Sequence, residues 1–176
     1  MLHNYLISKP FNFEELNNCH KDKMINQFKQ DKIFQNLGGG GYNTYYKDQE
    51  YNSIISEAFS KIVHENFKVS KLLKPIKTWI YAQTDRYWSS VWHNHVNTSS
   101  INAVYYIDPP KRGRGLNLRL YGTEHIIHPE PNIIYIFPYW LEHRPLPQED
   151  SAWRISVNIE YMCSQRPVIK ETSIIW

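Results

Sequence analysis

Cysteine is scarce in this chain: its 176 residues hold two, Cys19 and Cys163, which form neither a CxxC pair nor a disulfide framework. A disulfide-stapled secreted domain is therefore not expected, and a reducing compartment fits better. Glycine is also scarce, and four of the seven stand together as Gly38-Gly39-Gly40-Gly41. Such a run breaks any helix, because residues without Cβ lose the most backbone entropy on ordering. Tyr42-Asn43-Thr44 follows it, not the Gly-Lys-Ser/Thr ending of a phosphate-binding loop, so the run is read as a flexible connector, with an active-site flap as the alternative. Long apolar runs are missing. Ile133-Ile134-Tyr135-Ile136-Phe137 falls far short of the roughly 20 residues that span a bilayer, and Met1 to Pro10 carries no export signal. A soluble, cytoplasmic protein without membrane contact is expected. Net charge is nearly missing too: +3, with lysines spread along the N-terminal half, speaks against a nucleic-acid partner. The basic tract Lys111-Arg112-Gly113-Arg114-Gly115 is read as a solvated hairpin loop.

Aromatic residues are what the chain has in abundance, with 13 Tyr and 6 Trp, and 41% of its residues are hydrophobic. That is enough for one sizeable core, so residues 1–176 are expected to form a single domain. Its first part, 1–75, reads as a helical support region. Between Asn12 and Asn36 apolar residues fall at irregular helical spacing. From Asn52 to Phe67, Ile54, Ile55, Ala58, Phe59, Ile62 and Val63 line one helix face.

After Pro75 the period changes to short runs rich in β-branched and aromatic residues. Strands are expected at Ile76 to Gln83, Tyr87 to His93, Ile101 to Ile107, Gly115 to Tyr121, Glu124 to Ile127, Asn132 to Phe137, His143 to Leu146 and Ser151 to Met162. Residues 163–176 are left as a C-terminal tail. Helices followed by about eight strands predict an α+β chain: a double-stranded β-helix, or jelly roll, over 76–162, with the N-terminal helices packed on one sheet.

Three histidines carry the strongest chemical signal. His93 and His95 in Trp92-His93-Asn94-His95 point to one face of an extended segment, because alternate side chains share a face. His143 follows about 50 residues later at a strand start, where an antiparallel fold brings it back against the pair. Three imidazoles on one side of an ion leave positions opposite open, as a catalytic non-haem iron requires. His3, His20 and His64 have no partner pattern and are read as surface residues; His125 and His128 are read as structural. Eleven residues beyond His143 stands Arg154, on a strand with apolar alternate positions, and Ser156 shares its face. Burying a guanidinium is costly without an anion, and its planar fork suits a carboxylate. The bland alternative is a solvent-facing Arg154 paired with Glu160.

Taken in order, His93-Asn94-His95, Ser100-Ile101-Asn102-Ala103-Val104-Tyr105-Tyr106, Phe137-Pro138-Tyr139-Trp140-Leu141-Glu142-His143 and Arg154-Ile155-Ser156 resemble the 2-oxoglutarate and Fe(II)-dependent oxygenase superfamily, most closely its bacterial and phage members related to prolyl hydroxylases. The resemblance runs from about Trp79 to Tyr161. It implies that His93 and His143 are iron ligands, that Arg154 and Ser156 hold the far carboxylate of 2-oxoglutarate, and that Tyr106 reaches the co-substrate while Tyr105 faces into packing. It also implies that O2 and 2-oxoglutarate are consumed, with release of succinate and CO2 and oxidation of a C–H bond in a substrate that the sequence does not name, a small molecule or a protein side chain.

One position departs from the family pattern. Where most members carry a carboxylate two residues after the first histidine, this chain has His95. Three imidazoles are the favoured set. A register starting at His95 with Asn97 second, or His93 and His143 with a water, are the alternatives. Glu142 is expected to point away from the side of His143. Two rival functions share these features: a cupin-like metal-binding module without turnover, and a three-histidine zinc hydrolase. Trp88, Trp92, Tyr139 and Trp140 are read as lying near the proposed mouth.

Overall fold

A computed structural model describes residues 5–31, 41–44, 46–68, 76–83, 91–109, 115–146, 153–164 and 168–169. In chain order these form β1 (Ile7–Pro10), α1 (Glu14–Asp31), β2 (Gly41–Thr44), α2 (Gln49–Asn66), β3 (Phe67–Lys68), β4 (Lys77–Gln83), β5 (Ile101–Asp108), β6 (Leu116–Leu120), β7 (Thr123–Ile127), β8 (Ile133–Pro138), β9 (Glu142–Pro145), β10 (Arg154–Tyr161) and β11 (Val168–Ile169). No helix among the described residues is long and apolar enough to cross a membrane.

The two helices are set by their ends and by one face each. The Asn12 side chain accepts from the Glu14 amide at 3.1 Å at the start of α1. Asp48 caps α2 by accepting from the Tyr51 amide at 3.0 Å, and the helix stops where Phe67 turns extended. Tyr51, Ile55, Phe59 and Val63, spaced at four residues, are buried. They pack on a six-stranded antiparallel sheet of order β1-β8-β5-β10-β4-β2. Period-two alternation divides that sheet. Ile155, Val157, Ile159 and Tyr161 of β10, with Ala103 and Tyr105 of β5 and Ile134 and Ile136 of β8, belong to the helix-side core.

The opposite face meets a three-stranded sheet of order β7-β6-β9. Leu116, Leu118 and Leu120 of β6 pack there with Val104, Tyr106, Tyr135, Phe137 and Leu141. Leu118 is fully buried, so Leu118→Ala should cost about 2–5 kcal/mol. A two-residue turn, Tyr121-Gly122, joins β6 to β7 with φ of 49° and 79°. Positive φ at both central residues is the turn whose twist matches a right-twisted hairpin.

The α+β arrangement, with helices on one face of the large sheet, agrees with expectation, and most strand limits agree within one or two residues. The support region is not purely helical, however. β1 adds an edge strand beside β8, and Gly41, expected in a connector, opens β2 on the far edge. Both are short, and edge strands have one partner instead of two, so their period is poorly marked in the sequence. The expected tail contributes β11, paired with β3. The last long strand starts at Arg154, not Ser151. Gly38 to Gly40, Tyr87 to Ser90 and the tract 111–114 lie outside the described residues. His20 is buried, contrary to expectation: its Nδ1 lies 2.8 Å from the Tyr46 hydroxyl, in a polar cluster between α1 and α2.

Candidate metal centre

Strand pairing brings the three histidines together. His93 and His143 form an antiparallel bridge: the His93 amide donates to His143 O at 3.1 Å, and the His143 amide donates to His93 O at 2.9 Å. Their rings lie side by side, 4.3 Å between centroids. The His95 amide donates to Tyr139 O at 2.8 Å, and the turn that follows sends the chain into β5. One ligand-capable atom from each of His93, His95 and His143 lies within 4.8 Å of the others. Asn97 sits exposed in the turn.

Hydrogen bonds on the far side of two rings decide which nitrogens face the centre. His143 Nδ1 donates to Leu141 O at 2.9 Å, so its Nε2 is bare. His95 Nδ1 lies 2.6 Å from Glu160 Oε1, a carboxylate oxygen that can only accept, so Nδ1 carries a hydrogen and Nε2 is the nitrogen turned to His143. These two Nε2 atoms stand 3.3 Å apart. Two imidazoles each about 2.0–2.2 Å from one ion have nitrogens separated by about this distance. The residues therefore fit a divalent metal.

Electrostatics favour the ligand form. Burial, followed by repulsion from His93, holds the His143 pKa well below the ordinary histidine value. His93 keeps some solvent access, yet desolvation of its ring and then the neighbouring His95 lower its pKa too. Burial alone would raise the Glu160 carboxyl; the hydrogen bond from His95, the charges of His95 and Lys77, and the Thr98 hydroxyl outweigh it and hold it low.

The triad opens on a cavity of about 280 Å³ between the two sheets. β10 runs along its wall, presenting Asn158, Ser156 and Arg154. Ser156 stands directly across from Tyr106 of β5 on one side and Tyr81 of β4 on the other. Arg154 is 1% exposed, which removes the reading of a solvent-facing arginine paired with Glu160. Its Nη1 donates to Leu146 O at 2.7 Å and to Gly115 O at 3.3 Å, and its side chain also hydrogen-bonds Tyr81. Burial pushes the Tyr106 hydroxyl up to about 12 against the opposing pull of Arg154, so it stays protonated. Gly115 is required by close approach: a Cβ there would lie 2.4 Å from Pro129 Cδ and Cγ.

Tyr105 packs on the helix side and accepts from Asn17 Nδ2, as expected. Glu142 points outward and pairs with Arg119 at 2.7 and 2.9 Å. Trp92 is not at the mouth. It lies on the outer face of the small sheet, with the guanidinium groups of Arg119 and Arg144 at 4.5 and 4.3 Å from its ring centre. Bridge alternation explains this: with His93 turned inward, Trp92 must turn outward. Trp140 packs edge-on against Tyr5, and Trp88 lies outside the described residues.

Three wall residues, Trp79, Tyr81 and Asn158, escape a reading by motif, and so does Glu160 behind the His95 ring. The signal for two was present, since Asn158 and Glu160 continue the two-residue period of Arg154 and Ser156. Trp79 and Tyr81 do the same on β4, and Trp79 lies 5.9 Å from the His95 ring. A larger open groove of about 1060 Å³ between α2 and β4 shares Lys77, Thr98 and Glu160 with the back of the site but none of the three histidines.

No protein-family model and no curated protein matches the chain. Solved structures do. A prolyl-4-hydroxylase of Pseudomonas putida superposes with TM-score 0.69 at 13% identity, covering 93% of this chain and 96% of that one. The viral collagen prolyl hydroxylase of Paramecium Bursaria Chlorella virus-1, solved as a 2OG complex, gives 0.58 at 12% identity, covering 89% and 95%. A non-haem α-ketoglutarate-dependent carbocyclase from nogalamycin biosynthesis gives 0.68 at 9% identity, covering 93% and 81%. The fold of this chain is theirs.

Proposed function

We propose that this chain, whose fold is that of the 2-oxoglutarate and Fe(II)-dependent oxygenases, is itself such an oxygenase, built as one domain over 1–176 around a double-stranded β-helix. Iron would be held by His93, His95 and His143, and 2-oxoglutarate by Arg154 with Ser156 and Tyr106. The observation that carries this is a single cavity with three converging imidazoles and, further along the same strand face, a guanidinium that is 1% exposed. The facing six- and three-stranded sheets support the β-helix reading.

When bound, iron and 2-oxoglutarate supply an oxidant made from O2, with release of succinate and CO2, for a C–H bond of a small molecule or protein side chain. The protein's own groups do the rest. Arg154 presents a planar fork that fits a carboxylate bidentately, and its position is set by Leu146 O and Gly115 O. Tyr106, kept protonated, can donate to an anionic oxygen beside it. Val104 and Leu116, both nearly closed to solvent, line the wall and exclude water, which strengthens each of these contacts.

Neither rival gains support from the site. A cupin-like module has no use for a buried guanidinium in the cavity wall. A zinc hydrolase needs a general base, and Glu160 is already engaged by His95 and Thr98. The test is succinate formation from 2-oxoglutarate by the purified protein with added Fe(II), without primary substrate. Turnover that requires both iron and 2-oxoglutarate supports the assignment; none, under conditions where a characterised oxygenase is active, rejects it.

A further inference from the structure

Three neutral imidazoles leave a divalent ion with its full charge in a partly buried cavity, and an uncompensated charge there is costly. The position that carries a carboxylate in the family pattern is His95. Immediately behind the His95 ring stands Glu160, on the cavity-side row of β10 and 5% exposed. Its Oε1 accepts from His95 Nδ1 at 2.6 Å and from the Thr98 hydroxyl at 3.0 Å. Lys77 Nζ approaches Oε2 at 3.8 Å from the partly exposed side. We infer that Glu160 supplies the negative charge of the metal site: the carboxylate of the family pattern has moved one layer outward and acts on the ion through the His95 ring.

This rests on the metal reading proposed above. Physically, an ionised acceptor on Nδ1–H increases electron density at Nε2 and fixes the ring so that Nε2 aims at the ion. Glu160 is thus a positioning residue that also contributes charge. Lys77 offers a competing account, in which Glu160 merely closes a salt bridge. That pair is the weaker one, since its lysine is partly exposed and its separation is long.

The experiment measures Co(II) binding by calorimetry and by the visible absorption of the bound ion. Glu160→Gln preserves shape and an accepting oxygen but removes the charge. It should weaken Co(II) binding about 10- to 100-fold and shift the absorption bands. Lys77→Met should change neither by more than about twofold. The discriminating comparison uses His95→Asp, which places a carboxylate next to the metal. In that background Glu160→Gln should leave Co(II) binding unchanged or strengthen it, because the outer charge is redundant and repels the inner one. Equal losses from Glu160→Gln in both backgrounds would reduce Glu160 to a structural role. So would a Glu160→Gln protein that binds Co(II) within about twofold of wild type with an unaltered spectrum. Failure of the wild-type protein to bind Co(II) is a different result: it overturns the metal reading itself, and this inference with it.

Discussion

Arg154 ties the two sheets together through Leu146: its Nη1 leaves β10 of the large sheet and donates at 2.7 Å to the carbonyl just past β9 of the small one. The same nitrogen reaches Gly115 O, at the start of β6, at 3.3 Å. One guanidinium therefore spans the gap between the cavity walls, and in the function proposed above it also anchors the co-substrate. Its dual role shapes the first prediction. Arg154→Lys keeps the charge but not the fork, and should raise KM for 2-oxoglutarate about 10- to 100-fold, the equivalent of a lost charge-assisted hydrogen bond of about 1.5–3 kcal/mol. Co(II) affinity should stay within about twofold. A KM equal to that of wild type would place this side chain outside the co-substrate site.

Gly115→Ala tests that support from the other side. The added methyl meets Pro129 at 2.4 Å, so Pro129 or the backbone at 115 must shift, and a shift at 115 moves the carbonyl that holds Arg154. Denaturant unfolding should show a loss of about 1–3 kcal/mol, accompanied by a higher KM for 2-oxoglutarate. Lower stability with unchanged KM would mean that the Gly115 carbonyl does not position Arg154.

Acid should weaken the metal-free fold through His143. Its native pKa is depressed, chiefly by burial, so the unfolded chain takes up the proton first. The stabilisation is complete above the unfolded value of about 6.5 and declines below it, by up to about 1.4 kcal/mol per pH unit, until the native pKa is reached. Urea titrations with a chelator at about pH 7.5 and about pH 5 measure the difference. His143→Leu should flatten it, and an equally steep loss in that variant would assign the effect elsewhere.

The ligand register is tested at three positions. His95→Asp should retain Co(II) binding, because a carboxylate two residues after His93 still projects to the same face, whereas His95→Ala should lose at least tenfold more. Asn97→Ala should be neutral, since Asn97 is exposed in the turn after His95. If Asn97→Ala abolishes binding while His93→Ala is harmless, the motif begins at His95 instead.

Trp92→Ala provides a control on the outer face. Removing the ring between Arg119 and Arg144 should lower stability by about 1–3 kcal/mol. KM for 2-oxoglutarate and Co(II) affinity should remain within about twofold. A large change in either would return Trp92 to the mouth of the cavity.

The residues show plainly where local chemistry was enough to read the site and where it was not. Alternation alone placed His93 with His95, Arg154 with Ser156, and Tyr105 opposite Tyr106, because a two-residue period is a property of the strand and needs no partner. The amphipathic face of α2 and the change of period after Pro75 were legible for the same reason. The N-terminal edge strand β1 was not, since a four-residue strand with one neighbour carries little pattern.

Pairing is what the sequence left open. Only antiparallel bridging puts His93 against His143, only the sheet order sets Tyr81 and Tyr106 on either side of Ser156, and only the turn after His95 brings its ring to Glu160, 65 residues away. Local composition determined which side chains share a face. The tertiary structure decided which faces meet, because such contacts depend on register between strands distant in the chain, and register is selected by packing the whole core at once.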